Sequence, residues 1–145
     1  MYKHILIPTD GSELSNRAVR QGIDLARAIG ARVTVVTVTP TFRTVSADPF
    51  MATSTPEQFR QECRAEAQRF LAPVAAAAST AGVVCETVHL EDDRPYHAII
   101  DTATKKDCDL IFMASHGRKG VAALVLGSET NKVLTHSKIP VLVCR

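Results

Sequence analysis

Hydrophobic positions along the chain alternate between short apolar runs and longer segments in which apolar residues recur at helical spacing. The runs are too short for helices, and several are rich in β-branched residues, as is typical of buried strands. They lie at residues 4–7, 32–38, 83–90, 110–113 and 141–144. Each interval between them contains one helical segment, so the pattern predicts strands and helices in strict alternation.

Three of the helical segments have clear boundaries. The first begins at Ser12, a predicted N-cap, and ends at Gly30. Its predicted inward face consists of Leu14, Ala18, Gly22, Leu25 and Ile29. Another runs from Pro95 through Lys106 and turns Tyr96, Ile99, Ile100 and Ala103 inward. The last covers residues 129–136 and opens at Gly127 and Ser128.

The remaining helical segment begins with a capping box. Thr55 is the predicted N-cap, Pro56 takes the first helical position and Gln58 completes the box. The segment ends at Gly82, and its predicted core stripe is Phe59, Cys63, Ala67, Phe70, Val74, Ala78 and Ala81. Pro73 removes a backbone donor within it, so we expect a kink there.

Residues 39–54 show neither the strand period nor the helix period. The segment contains Pro40, Pro49 and several Ser and Thr residues. We predict a surface loop, long enough for a role over a ligand.

Alternating strands and helices predict an α/β fold, in which helices cover both faces of a parallel sheet. The length, 145 residues, fits one domain over residues 1–145. Ligands bind such sheets beyond the carboxyl ends of the strands, where the strand order reverses. Residues 8–12 and 114–117 follow the first and fourth strands. If those strands are neighbours, the two segments meet and form a nucleotide or phosphate site.

The segment from Leu110 to Ser128 has the layout of a phosphate-binding loop. A buried strand leads into a loop containing Gly117, and Gly127 and Ser128 then open a helix. Glycine lets the backbone approach a ligand, and free amides at a helix N-terminus attract anions. We therefore expect a side chain at position 127 to fill space that phosphates occupy. The alternative is an ordinary strand-loop-helix connection with Ser128 as the N-cap.

Composition and charge restrict the classes of function. Hydrophobic residues make up 46% of the chain, and the net charge of +2 argues against a strong nucleic-acid footprint. No apolar run is long enough for a signal peptide or a membrane span, so we expect a cytoplasmic protein. The four cysteines form no Cys-x-x-Cys pair, which favours reduced thiols in packed positions over disulfides or a metal site.

Two motifs resemble those of the universal stress protein family. Residues 5–12 read Ile-Leu-Ile-Pro-Thr-Asp-Gly-Ser, and residues 114–117 read Ala-Ser-His-Gly, followed after nine residues by Gly127 and Ser128. The terminal residues 137–143, Ser-Lys-Ile-Pro-Val-Leu-Val, extend the resemblance over the whole chain. It implies a doubly wound, five-stranded parallel sheet in order 3-2-1-4-5, and usually a homodimer. Here the dimer would form through the C-terminal strand, at Val141, Leu142 and Val143.

Members of the family that bind ATP share the pattern Gly-x2-Gly-x9-Gly-Ser/Thr. Gly117, Gly127 and Ser128 match this pattern, whereas Ala114 stands in place of the first glycine. Asp10 matches the aspartate near the ribose and adenine, and Val38 matches a residue whose backbone reads the adenine edge. The resemblance thus implies a nucleotide-binding set of Pro8, Thr9, Asp10, Val38, Met113, Ala114, His116, Gly117, Gly127, Ser128, Glu129 and Thr130.

Several of these residues have ordinary structural alternatives. Asp10 is either a hydroxyl-binding carboxylate or the cap of the following turn, and His116 is more often a solvated loop residue than a catalyst. Arg118 and Lys119 would screen phosphates or form a solvated surface. Because its charge would repel a phosphate, we expect Glu129 to point away from the site.

The function implied is a stress-response protein that binds ATP, ADP or AMP and acts on an unknown protein partner. No nucleophile with a partnered base, Walker lysine motif or metal cluster is recognisable. We therefore expect regulation rather than catalysis, with any ATP hydrolysis slow and Mg²⁺ carried by the nucleotide. A second branch of the family lacks ATP binding, so a nucleotide-independent interaction module is the alternative. A phosphoacceptor receiver domain ranks far behind, because Asp10 has no acidic neighbour.

Overall fold

The computed structural model describes residues 1–45, 55–117 and 125–145. Five strands form one parallel sheet: β1 (His4–Pro8), β2 (Arg32–Thr39), β3 (Cys85–Glu91), β4 (Leu110–Ala114) and β5 (Val141–Cys144). The helices are α1 (Glu13–Ile29), α2 (Phe42–Val45), α3 (Pro56–Thr80), α4 (Pro95–Lys105) and α5 (Ser128–His136). Across the described residues, no helix is both long and apolar enough to span a membrane.

The strand order is β3-β2-β1-β4-β5, which confirms the predicted sheet. The first strand pairs with the second on one side and with the fourth on the other, at Ile5 with Leu110 and Leu6 with Ile111. The order therefore reverses between β1 and β4. Because all strands run parallel, the segments that follow these two strands emerge side by side at the carboxyl edge.

The core consists of two layers, one on each face of the sheet. Helices α1 and α3 pack with alternate residues of β1, β2 and β4, including Ile7, Val35 and Phe112. Helices α4 and α5 pack on the opposite face, where Leu6 and Ile111 belong to the second cluster. Alternate strand residues thus face different layers, and the central strands are apolar along their length.

The predicted helix boundaries are largely confirmed. Ser12 caps α1 by accepting from the Ser15 amide, and Gly30 ends the helix in the left-handed conformation at φ 72°. Thr55 and Gln58 form the capping box of α3. That helix continues through Pro73, so the expected kink remains a prediction. These caps depend on neighbouring residues alone, which is why the sequence reveals them.

Some inward positions differ from the predicted ones. Ala18 and Gly22 of α1 are buried as predicted, whereas Ile29 is 36% exposed. The other buried residues of this helix are Ser15, Val19, Ile23 and Ala26. Leu71 is buried in α3, whereas Phe70 is only partly buried. Both helices are therefore rotated slightly from the predicted orientation, because packing against the sheet decides which edge of a broad apolar stripe is covered.

The segment predicted as a surface loop at 39–54 begins with secondary structure. Thr39 completes β2, and Phe42–Val45 forms the short helix α2. The Phe42 ring packs on the Phe59 ring of α3 with centroids 5.7 Å apart. That aromatic contact orders the start of the segment, and residues 46–54 of the predicted loop lie outside the described part of the chain.

Candidate functional site

A cavity of about 630 Å³ opens at the carboxyl edge of the sheet, where β1 and β4 diverge. This volume is typical of small-molecule sites. Apolar side chains of the α4/α5 face form part of its wall, among them Val36, Ile99 and Met113. The turn after β1 and the start of α5 also contribute to the wall. The cavity therefore combines an apolar wall with polar groups from two separate loops.

The turn after β1 is held rigidly by its own hydrogen bonds. The Thr9 amide donates to the Val36 carbonyl at 2.8 Å, and the Thr9 carbonyl accepts from the Thr37 hydroxyl at 2.6 Å. Asp10 Oδ1 accepts from the Ser12 amide at 3.0 Å. Asp10 thus closes the turn and also lies in the cavity wall, so its two predicted roles are compatible.

The end of β4 is joined directly to the start of α5. The Gly127 amide donates to the Ser115 carbonyl at 2.8 Å, and the Thr130 hydroxyl donates to the Ala114 carbonyl at 3.0 Å. Thr130 is buried, at 2% exposure. These bonds place the N-terminus of α5 at the mouth of the cavity, where its backbone amides present partial positive charge.

The N-cap of α5 is Gly127, so the prediction that Ser128 caps this helix is wrong. The Asn131 amide donates to the Gly127 carbonyl at 3.0 Å, which closes the first helical turn on Gly127. Ser128 is therefore the first helical residue, and Gly127 supplies no capping side chain. Within the described residues, no side chain caps this terminus, and Gly127 and Ser128 both border the cavity.

Glu129 lies in the cavity wall and connects α5 to α4. Its Oε2 accepts from the Tyr96 amide at 2.9 Å, and Lys132 Nζ lies 3.4 Å from Oε1. Glu129 thus borders the cavity while its carboxylate is bonded toward α4, and the expectation that it points away from a phosphate stays a prediction. The partial positive charge at the N-terminus of α4 stabilises the Glu129 carboxylate in this position.

The universal stress protein family matches the chain over residues 1–145. The chain belongs to this family. Universal stress protein MJ0531 of Methanocaldococcus jannaschii is 34% identical over 148 residues, which cover 100% of this chain and 83% of that protein. The solved structure of hypothetical protein MJ0577 superposes with a TM-score of 0.83 at 26% identity and covers 99% of this chain and 95% of that one.

Two further structures of universal stress proteins share the fold. One, in complex with cAMP, has a TM-score of 0.71 at 24% identity and covers 99% of this chain and 97% of that one. The other, from Archaeoglobus fulgidus in complex with dAMP, has a TM-score of 0.71 at 22% identity, with coverage of 99% and 98%.

The glycines of the family motif have structural reasons of their own in this universal stress protein. A Cβ on Gly117 would overlap Asp10 Oδ2, and a Cβ on Gly127 would lie 3.0 Å from both His116 Cα and His116 Cβ. The first carbon added at 127 would thus meet the backbone of the preceding loop, and the expectation that a larger side chain there fills phosphate space stays a prediction. Both glycines serve the close approach of two loops.

Ala114, the departure from the motif, lies in an extended strand. Asp107 is the one non-glycine residue with positive φ among those described, so Ala114 carries no left-handed strain. Its side chain is 7% exposed and belongs to the core cluster on the α1/α3 face. Alanine is thus compatible with the local backbone, and the family glycine is not needed here for conformational freedom.

All predicted nucleotide-binding residues border the same cavity. Five further residues border it that the sequence did not assign to the site: Ser15, Val36, Pro40, Pro95 and Ile99. The hydroxyl of Ser15 lies 3.0 Å from that of Thr9. Ser15 could have been predicted as a site residue from its place in the first turn of α1, directly after the capped turn at Ser12. Arg118 and Lys119 lie outside the described residues.

His116 is partly buried in the cavity wall, with Nδ1 3.1 Å from the Ser115 hydroxyl.

Elsewhere, burial raises the pKa of the Cys63 thiol and raises that of Cys108 to about 11. All four cysteines are free, and Cys63, Cys108 and Cys144 are buried. Thiols with raised pKa remain protonated at neutral pH, so Cys63 and Cys108 are packing residues rather than nucleophiles.

Proposed function

We propose that this universal stress protein binds an adenine nucleotide, ATP, ADP or AMP, in the cavity at the carboxyl edge of its sheet. The observation that carries the proposal is that Asp10 and the N-terminus of α5, which no described side chain caps, border the same apolar-walled cavity. A nucleotide presents a flat base, ribose hydroxyls and an anionic phosphate. The cavity offers a complementary group for each.

The apolar wall formed by Val36, Ile99 and Met113 suits a purine base, with Val38 beside it. The Asp10 carboxylate suits ribose hydroxyls, since ionised carboxylates are strong acceptors. The backbone amides at Ser128 suit a phosphate, because a helix N-terminus attracts anions. Complexes of two universal stress proteins of the same fold with cAMP and dAMP support an adenine nucleotide as the ligand class.

We propose regulation rather than catalysis as the role of binding. The bound state would change which protein partner the chain recognises. No three His, Cys, Asp or Glu side chains converge as a metal site within the described ranges, so Mg²⁺ would arrive with ATP. The Ser115 hydroxyl lies 3.1 Å from His116 Nδ1, but Ser115 is buried, at 5% exposure, and is not part of the cavity wall. This pair is therefore not placed to attack a bound nucleotide.

The experiment compares Ser128→Pro, Ser128→Ala and Asp10→Asn by calorimetric titration with adenosine and AMP. Proline is tolerated at a first helical position, and Gly127 at φ −62° and ψ 155° already has the extended backbone that precedes proline. Ser128→Pro thus deletes one amide donor without disrupting the helix, whereas Ser128→Ala keeps that amide. Asparagine at position 10 keeps an oxygen for the Ser12 amide.

We expect Ser128→Pro to weaken AMP binding and leave adenosine binding unchanged. A hydrogen bond to a charged group contributes about 1.5–3 kcal/mol, or roughly 10- to 150-fold in Kd. Asp10→Asn should weaken adenosine and AMP alike. Equal binding by all variants would refute the site. If the wild type bound no nucleotide and mass spectrometry of the denatured protein found none, the nucleotide-independent interaction module would replace this proposal.

We also propose that the protein forms a homodimer through β5. This strand lies at the edge of the sheet and pairs only with β4 among the described strands. Leu142 is 40% exposed there, beside the partly buried Val141 and Val143. Soluble proteins rarely leave an apolar edge uncovered, and two copies can pair antiparallel about a two-fold axis. A monomeric mass in light scattering at high micromolar concentration would refute the dimer.

A further inference from the structure

Glu129 places a fixed negative charge beside the proposed phosphate seat. The residue follows Ser128 in the cavity wall, and its side chain is 37% exposed. Its two oxygens are engaged by different partners, the Tyr96 amide at 2.9 Å and the Lys132 ammonium at 3.4 Å. The ammonium also lies 5.5 Å from the centre of the Tyr96 ring. The carboxylate is thus held from two sides.

The start of α4 explains why the carboxylate stays in place. Arg94 is the N-cap but makes no side-chain capping bond, and Pro95 at the next position has no N–H to donate. The Tyr96 amide is therefore the first donor that this terminus offers, and Glu129 fills the role of its cap. A carboxylate at a helix N-terminus is favoured by the local dipole, so swinging Glu129 away would leave that amide without its acceptor.

We propose that Glu129 makes the site selective for nucleoside monophosphates over triphosphates. This inference rests on the proposed nucleotide function. The first phosphate gains the attraction of the α5 amides. Each further phosphate adds negative charge, whereas the N-termini of α1 and α4, which lie at the same edge, are already capped within the chain by Ser12 and Glu129. Repulsion by Glu129 therefore grows with the number of phosphates.

The test measures Kd for adenosine, AMP and ATP with the wild type and with Glu129→Gln, in the presence of a metal chelator. Glutamine keeps an oxygen for the Tyr96 amide and removes the charge. Asp101→Asn is the matched control, since it removes an acidic partner of a lysine, Lys105 at 2.7 Å, on α4 and outside the cavity wall. Equal thermal unfolding midpoints would show that neither variant disturbs the fold.

We expect the wild type to bind AMP more tightly than ATP. Glu129→Gln should improve ATP binding relative to AMP by about tenfold, as expected for one charge acting on the extra phosphates at a partly screened distance. Adenosine affinity should stay constant, and Asp101→Asn should change none of the ratios. An unchanged ATP-to-AMP ratio in Glu129→Gln, with AMP still bound, would overturn this inference alone. Absence of nucleotide binding by every protein would overturn it together with the proposed function.

Discussion

Replacing Ala114 with glycine restores the residue of the ATP-binding family pattern. The variant shows whether the Ala114 methyl contacts the ligand or packs in the core layer. Residues of β4 alternate between layers: Phe112 and Ala114 belong to the core cluster on the α1/α3 face, whereas Ile111 and Met113 belong to the opposite cluster. Ile99, which lines the cavity, lies on the same side as Met113. The Ala114 methyl therefore faces the core layer rather than the apolar wall of the cavity.

The magnitude follows from the strand and from burial. Glycine within a strand costs roughly 0.5–1 kcal/mol relative to alanine because its unfolded backbone is freer. The methyl group is almost fully buried, at 7% exposure for the residue, and a buried CH₂-sized group contributes about 0.8 kcal/mol. Ala114→Gly should therefore lower the free energy of unfolding by about 1–2 kcal/mol. For a domain of this size, the corresponding drop in Tm is roughly 2–8 °C.

Nucleotide affinity should change little in the same variant. Ala114 is extended and carries no left-handed strain that glycine would relieve. We expect the Kd for AMP to stay within about twofold, a difference of less than 0.5 kcal/mol. Urea or thermal unfolding gives the stability change, and calorimetric titration of both proteins gives the affinity. Binding that tightened tenfold without loss of stability would show that the methyl contacts the ligand, and would refute the assignment of its side chain to the core layer.

Two other predictions concern stability and assembly. Burial, and then the positive charge of Arg32, lowers the pKa of His4 below 6.5. Because the unfolded state binds a proton more readily than the folded state, stability should be full above about pH 6.5 and fall as the pH drops through that value. Urea unfolding midpoints at several pH values should show this loss of stability. His4→Asn should reduce the dependence of stability on pH without abolishing it, because burial also lowers the pKa of His89. Leu142→Lys should shift the light-scattering mass to monomer or cause aggregation, whereas Val84→Lys, at a residue 75% exposed and outside β5, should leave a dimer intact.

The elements of the fold could be predicted from the sequence because their causes are local. The caps at Ser12 and Thr55 depend on side chains that reach amides three residues away. The left-handed ends at Gly30 and Gly82 need a residue without Cβ. Apolar runs bounded by polar turns reveal buried strands. The family resemblance then supplied the strand order, which local patterns leave open.

The tertiary structure decided which groups share the cavity and in what orientation. Glu129 caps Tyr96, 33 residues earlier in the chain, and this contact depends on how α4 and α5 pack on one face of the sheet. Ser128 lost the predicted capping role because the Gly127 amide donates to the Ser115 carbonyl after β4, while the Gly127 carbonyl accepts from the Asn131 amide of α5. Periodicity reports which side of an element is buried, but the rotation of that element and its partner in space depend on non-local packing. The apolar wall of the cavity and the orientation of the Glu129 carboxylate therefore emerge only when the whole sheet is assembled.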